Sequence, residues 1–574
     1  MIRRWTAAAG FAWAVLACAA SRAWAQDPLR EPVEVPEGVQ EGQHAGDAQQ
    51  GRGGTDNATA PSTDPEAALT AEDEGASEQP VGARGREAAG LDREQAPCQP
   101  AQDATALRLE DRFDADEDRL RYVLERIEVR GNRRTRERVV LRYVQLHPGD
   151  VLDAADPELE LFRYRLLGTG FFQTVDFWLR KGSKRGAVVL VIEVRERNSI
   201  VVGDLWMGLS ADAETNGRAR PLTAYAGADI AETNLGGTGV TLGGAMGLAQ
   251  NQLALRVRFF DPAFLGTRWM TSAVLLYNDA REFYGNRDVR YDDPVNATEV
   301  LEDFAVVRYR RFGGTVGVGR DLSMPTQLWV DYRLERVDAT LPLAASHERG
   351  LDTEPIEFGL DRGLSILSTV RATLRHDTRD SPFLPTRGWQ ASVAAEVSLA
   401  PFGSSYPYEK VTLNASRWFE LPWRHVVRAG FFAGAISGYA PIYERFYVGD
   451  FSDFLPSRML DLNTDRRPAP NFLGTDIVEI RFGDYAAKVL GEYRIPLYRG
   501  HRSVYGIDLF GTAGMYGVAS HRDLTDPPRG YSGLARVPVD LTFNLGLQID
   551  TNVGGFTFAF SNVLGFIPVR GEGE

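Results

Sequence analysis

His376 to Ser398 reads HDTRDSPFLPTRGWQASVAAEVS. Its second half splits into two registers. Trp389, Ala391, Val393, Ala395 and Val397 are apolar, while Gln390, Ser392, Glu396 and Ser398 between them are polar, with small Ala394 the exception. Pro385-Thr386-Arg387-Gly388 stands before the run as a turn. Period two with one apolar face predicts a half-buried strand. The pattern recurs downstream. Leu328, Val330, Tyr332 and Leu334 alternate with Asp331, Arg333 and Glu335. Val370, Ala372 and Leu374 alternate with Arg371, Thr373 and Arg375, and Phe556, Phe558 and Phe560 alternate with Thr557, Ala559 and Ser561.

Two architectures put an apolar face on every strand. A soluble sandwich buries that face in a protein core, whereas a membrane barrel turns it to lipid and the polar face to a wet lumen. Strand patterns run through the 376 residues from Ser199 to the end, with no helix pattern to cover a sheet. Charges sort strictly to one face. A Lys or Arg facing lipid at the midplane costs roughly 2–4 kcal/mol, so a barrel demands that sorting. Closure also pairs every backbone group in lipid. The barrel is therefore the expected fold.

The N-terminus agrees. Arg3 and Arg4, the apolar stretch from Ala7 to Ala20 and the Ala23-Trp24-Ala25 site form an export signal over residues 1–25. No later run of about 18 apolar residues predicts a membrane helix. Residues 26–118 are rich in Glu, Gln, Ala, Gly, Asp and Pro, and are expected to be a disordered acidic linker. Of the two cysteines, Cys18 falls in the signal, so Cys98 has no partner for a disulfide or a thiolate metal site. The formal net charge of −14 argues against a nucleic-acid partner. HExxH, GxSxG and GxxxxGK are absent, and the reading assigns no catalytic residue, cofactor or metal, so no enzyme is expected.

A small α+β unit precedes the barrel, over residues 119–198. Tyr122–Arg130 predicts a strand, and Thr135 an N-cap for a helix through Leu146. Asp156-Pro157 opens a second helix that stops at Gly168. Thr174–Leu179 and Ala187–Val194 predict two further strands, in the order β-α-α-β-β.

This unit resembles a POTRA domain of the BamA-like outer-membrane assembly factors, also known as the bacterial surface antigen family. Leu166, Gly170, Phe172, Val175, Val194 and Glu196 carry the likeness, with the glutamate one place later than usual. Further pieces follow in family order. AETNLGGTGVTLGG (Ala231–Gly244) resembles the Asn-Leu-x-Gly-x-Gly hairpin. FFDPAFLGTRWMTSAVLLYND (Phe259–Asp279) resembles the next strand pair. Asp377, Arg379, Asp380, Pro385 and Gly388 form the barrel motif of the opening stretch. ERFYVGD (Glu444–Asp450) resembles the entry into a long inward loop, and LGEYRIPLY (Leu490–Tyr498) the strand after it.

The resemblance implies an all-β transmembrane antiparallel barrel of sixteen strands over 199–574, behind one POTRA domain. It implies outer-membrane lipid and unfolded client proteins as partners, with periplasmic lipoproteins or chaperones as accessories. Client strands would add to the POTRA edge at Thr174, Val175, Asp176, Phe177, Trp178 and Leu179. The first barrel strand, about Val201–Leu209, would meet a closing strand carrying Phe556, Phe558, Phe560 and Phe566, at a seam that Gly554-Gly555 could weaken. Two departures stand out. The inward loop lacks the family's Val-Arg-Gly-Phe, and Arg458 is its one candidate arginine, with Met459 where glycine is usual; Arg458 is expected to pair with an interior carboxylate. IPVRGEGE also follows the terminal aromatic. The rival readings are a two-partner-type secretion translocator for a dedicated client and a passive outer-membrane channel.

Overall fold

The computed structural model describes residues 107–108 and 121–561, apart from 154–156, 211–222, 285–288, 293–298, 303–304, 343–344, 350, 466–471, 476, 478–481, 501, 527–528 and 531. The signal, nearly all of the linker and Phe566 lie outside the described residues.

The POTRA domain is a five-stranded sheet under two helices. Its elements are β1 (Leu107–Arg108), β2 (Arg121–Arg130), α1 (Glu137–Tyr143), β3 (Val151–Asp153), α2 (Pro157–Gly168), β4 (Phe172–Lys181) and β5 (Ala187–Glu196), in the sheet order β1-β4-β5-β2-β3. Pro157 opens α2 at the position where a missing N–H costs nothing. Val140, Leu166, Val175, Leu190 and Ile192 are fully buried between helices and sheet. Two short strands, β1 and β3, add to the expected order. The expected cap is corrected as well. The residue before α1 is Arg136, with no side-chain cap, because Thr135 is engaged elsewhere.

The wall begins with β6 (Ile200–Ser210), β7 (Thr223–Glu232), β8 (Thr241–Ala249), β9 (Gln252–Asp261) and β10 (Trp269–Tyr284). β11 (Val289–Asp292) and β12 (Glu299–Glu302) leave it, and β13 (Ala305–Ser323) and β14 (Thr326–Thr340) return. β15 (Ala345–Arg349) and β16 (Asp352–Pro355) join β11 and β12 in a separate four-stranded sheet. The wall resumes with β17 (Gly363–Asp377), β18 (Gly388–Ser398), β19 (Tyr408–Glu420) and β20 (Val426–Gly438). The connection that follows holds β21 (Phe446–Tyr447) and β22 (Phe482–Gly483), paired with each other. β23 (Tyr485–Arg499), β24 (Val504–Ala519), β25 (Val539–Thr551) and β26 (Gly554–Ser561) complete the wall. One five-residue helix that the sequence does not predict, α3 (His521–Thr525), sits between β24 and β25, held by a Ser520–Asp523 capping box.

Among the described residues fifteen wall strands pair antiparallel in a nearly closed barrel, against the sixteen expected for the whole barrel. Alternation along an odd number of strands makes β6 and β26 run the same way, both leading away from the POTRA end. The pleat sorts the side chains as the sequence predicts. Leu328, Val330, Tyr332 and Leu334 stand 38–48% exposed on the outside, while Asp331 and Glu335 between them are buried in the lumen. Asp331, Arg371, Glu396 and Lys410 share one rung across β14, β17, β18 and β19, so alternating charges face each other around the inner wall.

Candidate functional site

POTRA domain and barrel belong to the same compact unit, and the barrel turns of the POTRA end hold the two together. Asn234, in the β7–β8 turn, donates from Nδ2 to Thr135 Oγ1 at 2.8 Å and accepts from the Gly239 amide at 2.8 Å. The Arg136 amide donates to the Gly237 carbonyl at 2.9 Å. Arg165 of α2 pairs with Asp321 at 2.5 Å, and Arg142 reaches the Thr267 carbonyl. Burial at this junction lowers the pKa of Arg142 and raises that of Tyr143. A cavity of about 520 Å3 lies between α2 and the barrel mouth, with Tyr164, Arg165, His376 and Arg379 in its walls.

The Asn-Leu-x-Gly-x-Gly hairpin thus has a tertiary reason. Gly237 sits at φ +73°, and a Cβ there would run into the Arg134 carbonyl, whereas Gly236 at φ +59° has open space. Gly236→Ala carries the backbone strain alone, and Gly237→Ala adds a clash with the POTRA domain. The first is expected to cost about 1 kcal/mol and the second about 3 kcal/mol. The heat-unfolding midpoints of the two variants check the order.

The opening stretch forms a stapled loop at the same end. Asp380 accepts from the Thr386 amide at 2.8 Å, from Thr386 Oγ1 at 2.5 Å and from the Arg387 amide at 3.2 Å. Asp377 pairs with Arg379 at 2.7 Å. Gly388, at φ +109°, lies where a Cβ would strike the Thr378 carbonyl. The Pro385 carbonyl accepts from Arg494. Phe383 of this loop packs under Arg197, a residue the sequence reading passed over. The Arg197 guanidinium lies 4.2 Å from the Phe383 ring centroid and 4.5 Å from that of Tyr505. It donates to Asp550 at 2.7 Å and to the Thr551 carbonyl at 2.6 Å. Arg197 therefore ties the POTRA–barrel connection to the end of β25, beside the seam.

The seam is sparse. Among the described residues β6 pairs only with β7, and β26 only with β25. Among the described residues one backbone bond crosses the gap, from the Val202 amide to the Val553 carbonyl at 2.6 Å. Phe558 and Phe560 point outward from β26.

The connection from 439 to 484 turns inward and spans the bore. Glu444 accepts from Arg333 of β14 at 2.7 Å and from Lys410 of β19 at 3.2 Å. Lys488 of β23 donates to the Phe451 carbonyl at 2.7 Å, and the Asp453 amide donates to Thr542 of β25 at 3.0 Å. On the opposite wall Asp461 pairs with Arg256 of β9 at 3.0 Å and Arg311 of β13 at 3.3 Å. Among the described residues its ion pairs with the wall thus set loop acids on wall bases. Arg458 folds back instead onto Asp450 of the same loop, at 2.7 Å, and onto the Tyr443 and Arg445 carbonyls. Leu460 and Asp461 form the tip turn at φ +49° and +67° without a glycine. Asn278 donates to the Leu460 carbonyl at 2.9 Å, and the Asp461 pairs offset the strain. Met459 fills a hollow over Gly227 and Gly247, where wall side chains would collide with it. Among the described residues no group of His, Cys, Asp and Glu is placed to hold a metal.

Comparison with known proteins fits this architecture. Residues 234–454 match the Omp85 superfamily domain, and residues 122–197 match the POTRA domain, described as a surface antigen variable number repeat. The chain carries an Omp85 superfamily domain behind an N-terminal POTRA domain and is an outer-membrane β-barrel protein. A curated relative, outer membrane protein assembly factor BamA of Nitratidesulfovibrio vulgaris, is 24% identical over 337 residues, 58% of this chain and 37% of that protein. The chain thus matches little more than a third of that relative's length. Two solved structures resemble it more loosely. BamA from Haemophilus ducreyi lacking POTRA domains 1–3 is 15% identical with a TM-score of 0.42, over 77% of this chain and 81% of that one. CdiB from Escherichia coli is 10% identical with a TM-score of 0.46, over 79% and 76%.

Proposed function

We propose that this protein assembles β-strand-forming clients into the outer membrane through the seam between β6 and β26, acting without catalysis and with its POTRA domain on the periplasmic side. The observation that carries the reading is that, among the described residues, a single backbone bond crosses the seam. Both edges run away from the POTRA domain, so one client strand running toward it pairs antiparallel with each. Such a strand satisfies backbone groups that lipid cannot, which lowers the cost of its insertion. The loop spanning the bore favours this route over a passive channel and over export through the lumen. Outer-membrane lipid and unfolded clients are the partners required. Periplasmic lipoproteins or chaperones would deliver those clients.

Cysteines at Val202 and Val553, in a Cys98→Ser background, test this. Oxidation is expected to cut insertion of an eight-stranded barrel client into proteoliposomes at least tenfold, and reductant to restore it. Full insertion by the oxidised protein would sink the seam reading. In cells, loss of one or two proteins from the medium with the membrane proteome unchanged would mark a dedicated translocator instead.

A further inference from the structure

A second rung crosses β14, β17, β18 and β19 nearer the POTRA end. It sets Gln327, Arg375, Ser392 and Asn414 side by side on the inner wall. The charged rung above it, Asp331, Arg371, Glu396 and Lys410, alternates in sign. The lower one holds a single cation and no carboxylate. Among the described residues the Arg375 side chain makes no ion pair and no hydrogen bond. Its guanidinium stands 5.8 Å from the Trp329 ring centroid. Ser392 and Asn414 likewise have no side-chain partner among the described residues, while Gln327 donates to Asp321 at 3.0 Å.

All four residues line the cavity of about 520 Å3 between α2 and the barrel mouth. Part of its wall comes from the POTRA domain. There Arg165 pairs with Asp321 through Nη2, and its Nη1 is buried without a hydrogen-bond partner. Leu161, Phe171, Phe260 and Met324 supply apolar wall. The lining cations Arg165 and Arg379 have Asp321 and Asp377 as their acids. Among the described residues Arg375 is the one guanidinium of the lining without an acid.

We infer that this cavity binds a small organic monoanion, an apolar body bearing one carboxylate. The carboxylate sits on Arg375, Ser392 and Asn414, and the body lies against Leu161, Phe171 and Phe260. A guanidinium takes a carboxylate through two parallel N–H bonds, and the hydroxyl and amide add donors. One unmatched cation suits one negative charge, whereas a phosphate monoester brings nearly two. The volume falls in the range of small-molecule sites, about 300–1,000 Å3, and apolar walls with a few placed polar groups are their usual make-up. Arg165 Nη1 is a further donor, from the POTRA side, so an occupant ties that domain to the barrel. The site stands apart from the seam and does not depend on how clients are handled.

The test is equilibrium dialysis of the full chain in nonionic detergent against radiolabelled benzoate, with benzamide as the uncharged isostere. Benzoate is expected to saturate with a Kd below about 1 mM, at least tenfold tighter than benzamide. Arg375→Gln is expected to weaken benzoate at least tenfold and leave benzamide unchanged. Ser392→Asp sets a carboxylate directly across from Arg375, satisfies it within the chain and is expected to abolish the preference for benzoate. Equal affinities for the two ligands, or no saturable benzoate binding, would overturn the inference. So would full benzoate affinity in an Arg375→Gln variant that keeps the mobility shift of unboiled protein. The comparison of the two ligands uses the unaltered chain, so it decides the matter even where a variant fails to fold.

Discussion

Replacing Glu444 and Asp461 by alanine is expected to open the barrel to ions. Glu444 is the acceptor for Arg333 and Lys410 on one wall, and Asp461 for Arg256 and Arg311 on the other. Arg311 and Arg333 keep Glu335 as a partner in the variant. Lys410 and Arg256 lose their loop carboxylates. Breaking a buried pair from one side costs about 3–5 kcal/mol, because the remaining charge stays desolvated. Glu444 is 11% exposed and takes the lower end of that range; Asp461, at 38%, is screened and adds about 1 kcal/mol. The tip also loses what offsets its two positive-φ residues. A loss of about 4 kcal/mol shifts the open fraction by roughly 1,000-fold. Planar-bilayer recordings should therefore show frequent large openings in the double variant and rare ones in the parent, with Glu444→Gln between them. Traces indistinguishable from the parent would mean that the apolar contacts of Tyr443, Phe446 and Tyr447, with the Lys488, Thr542 and Asn278 bonds, hold the loop without these two carboxylates.

Arg197→Ala is expected to be the most damaging single change at the POTRA end. The side chain is 7% exposed and makes a bidentate contact with Asp550, a bond to the Thr551 carbonyl and contacts with two aromatic rings. Truncation leaves Asp550 without its nearest cation and removes the stacking. A cost of about 4 kcal/mol follows from the buried pair and the cation–π contacts together. Lysine cannot supply the planar fork, so Arg197→Lys recovers only part of it. The expected readouts are a lower temperature for the mobility shift of unboiled protein and faster protease cleavage between β5 and β6. Unchanged values for both would show that the Asn234 and Arg165 contacts dock the domain by themselves.

How much of this was legible from the residues alone differs from element to element. The two-sided strands were, because the direction of a side chain on a strand is a local property of the pleat. Leu328 and Glu335 could be sent to opposite faces without knowing which strands lie next to them. The POTRA helices were legible from Pro157 and the apolar spacing for a similar reason. The edge strands β1 and β3 were not, since two or three residues carry no periodic signal.

The candidate site divides along the same line. Asp377, Asp380, Pro385 and Gly388 could be assigned to a turn from residue type, and the turn chemistry of Asp380 and Gly388 is local. Their neighbour Phe383 reaches Arg197 only because the barrel brings β17, β25 and the POTRA connection to one place. Arg458 was expected to pair with an interior carboxylate, and Asp450, eight residues away in the same inward loop, is the acid it meets, a choice that residue type alone does not make. Glu444 finds Arg333, 111 positions earlier, and Asn234 finds Thr135, 99 positions earlier. By itself the sequence determined strands, faces and turns, because pleat geometry, proline and glycine act within a few residues. Tertiary structure alone decided which acid meets which base, how sparsely the seam is bonded and what covers the POTRA edge, because those contacts exist only once the sheet has curled round and distant segments share one desolvated space.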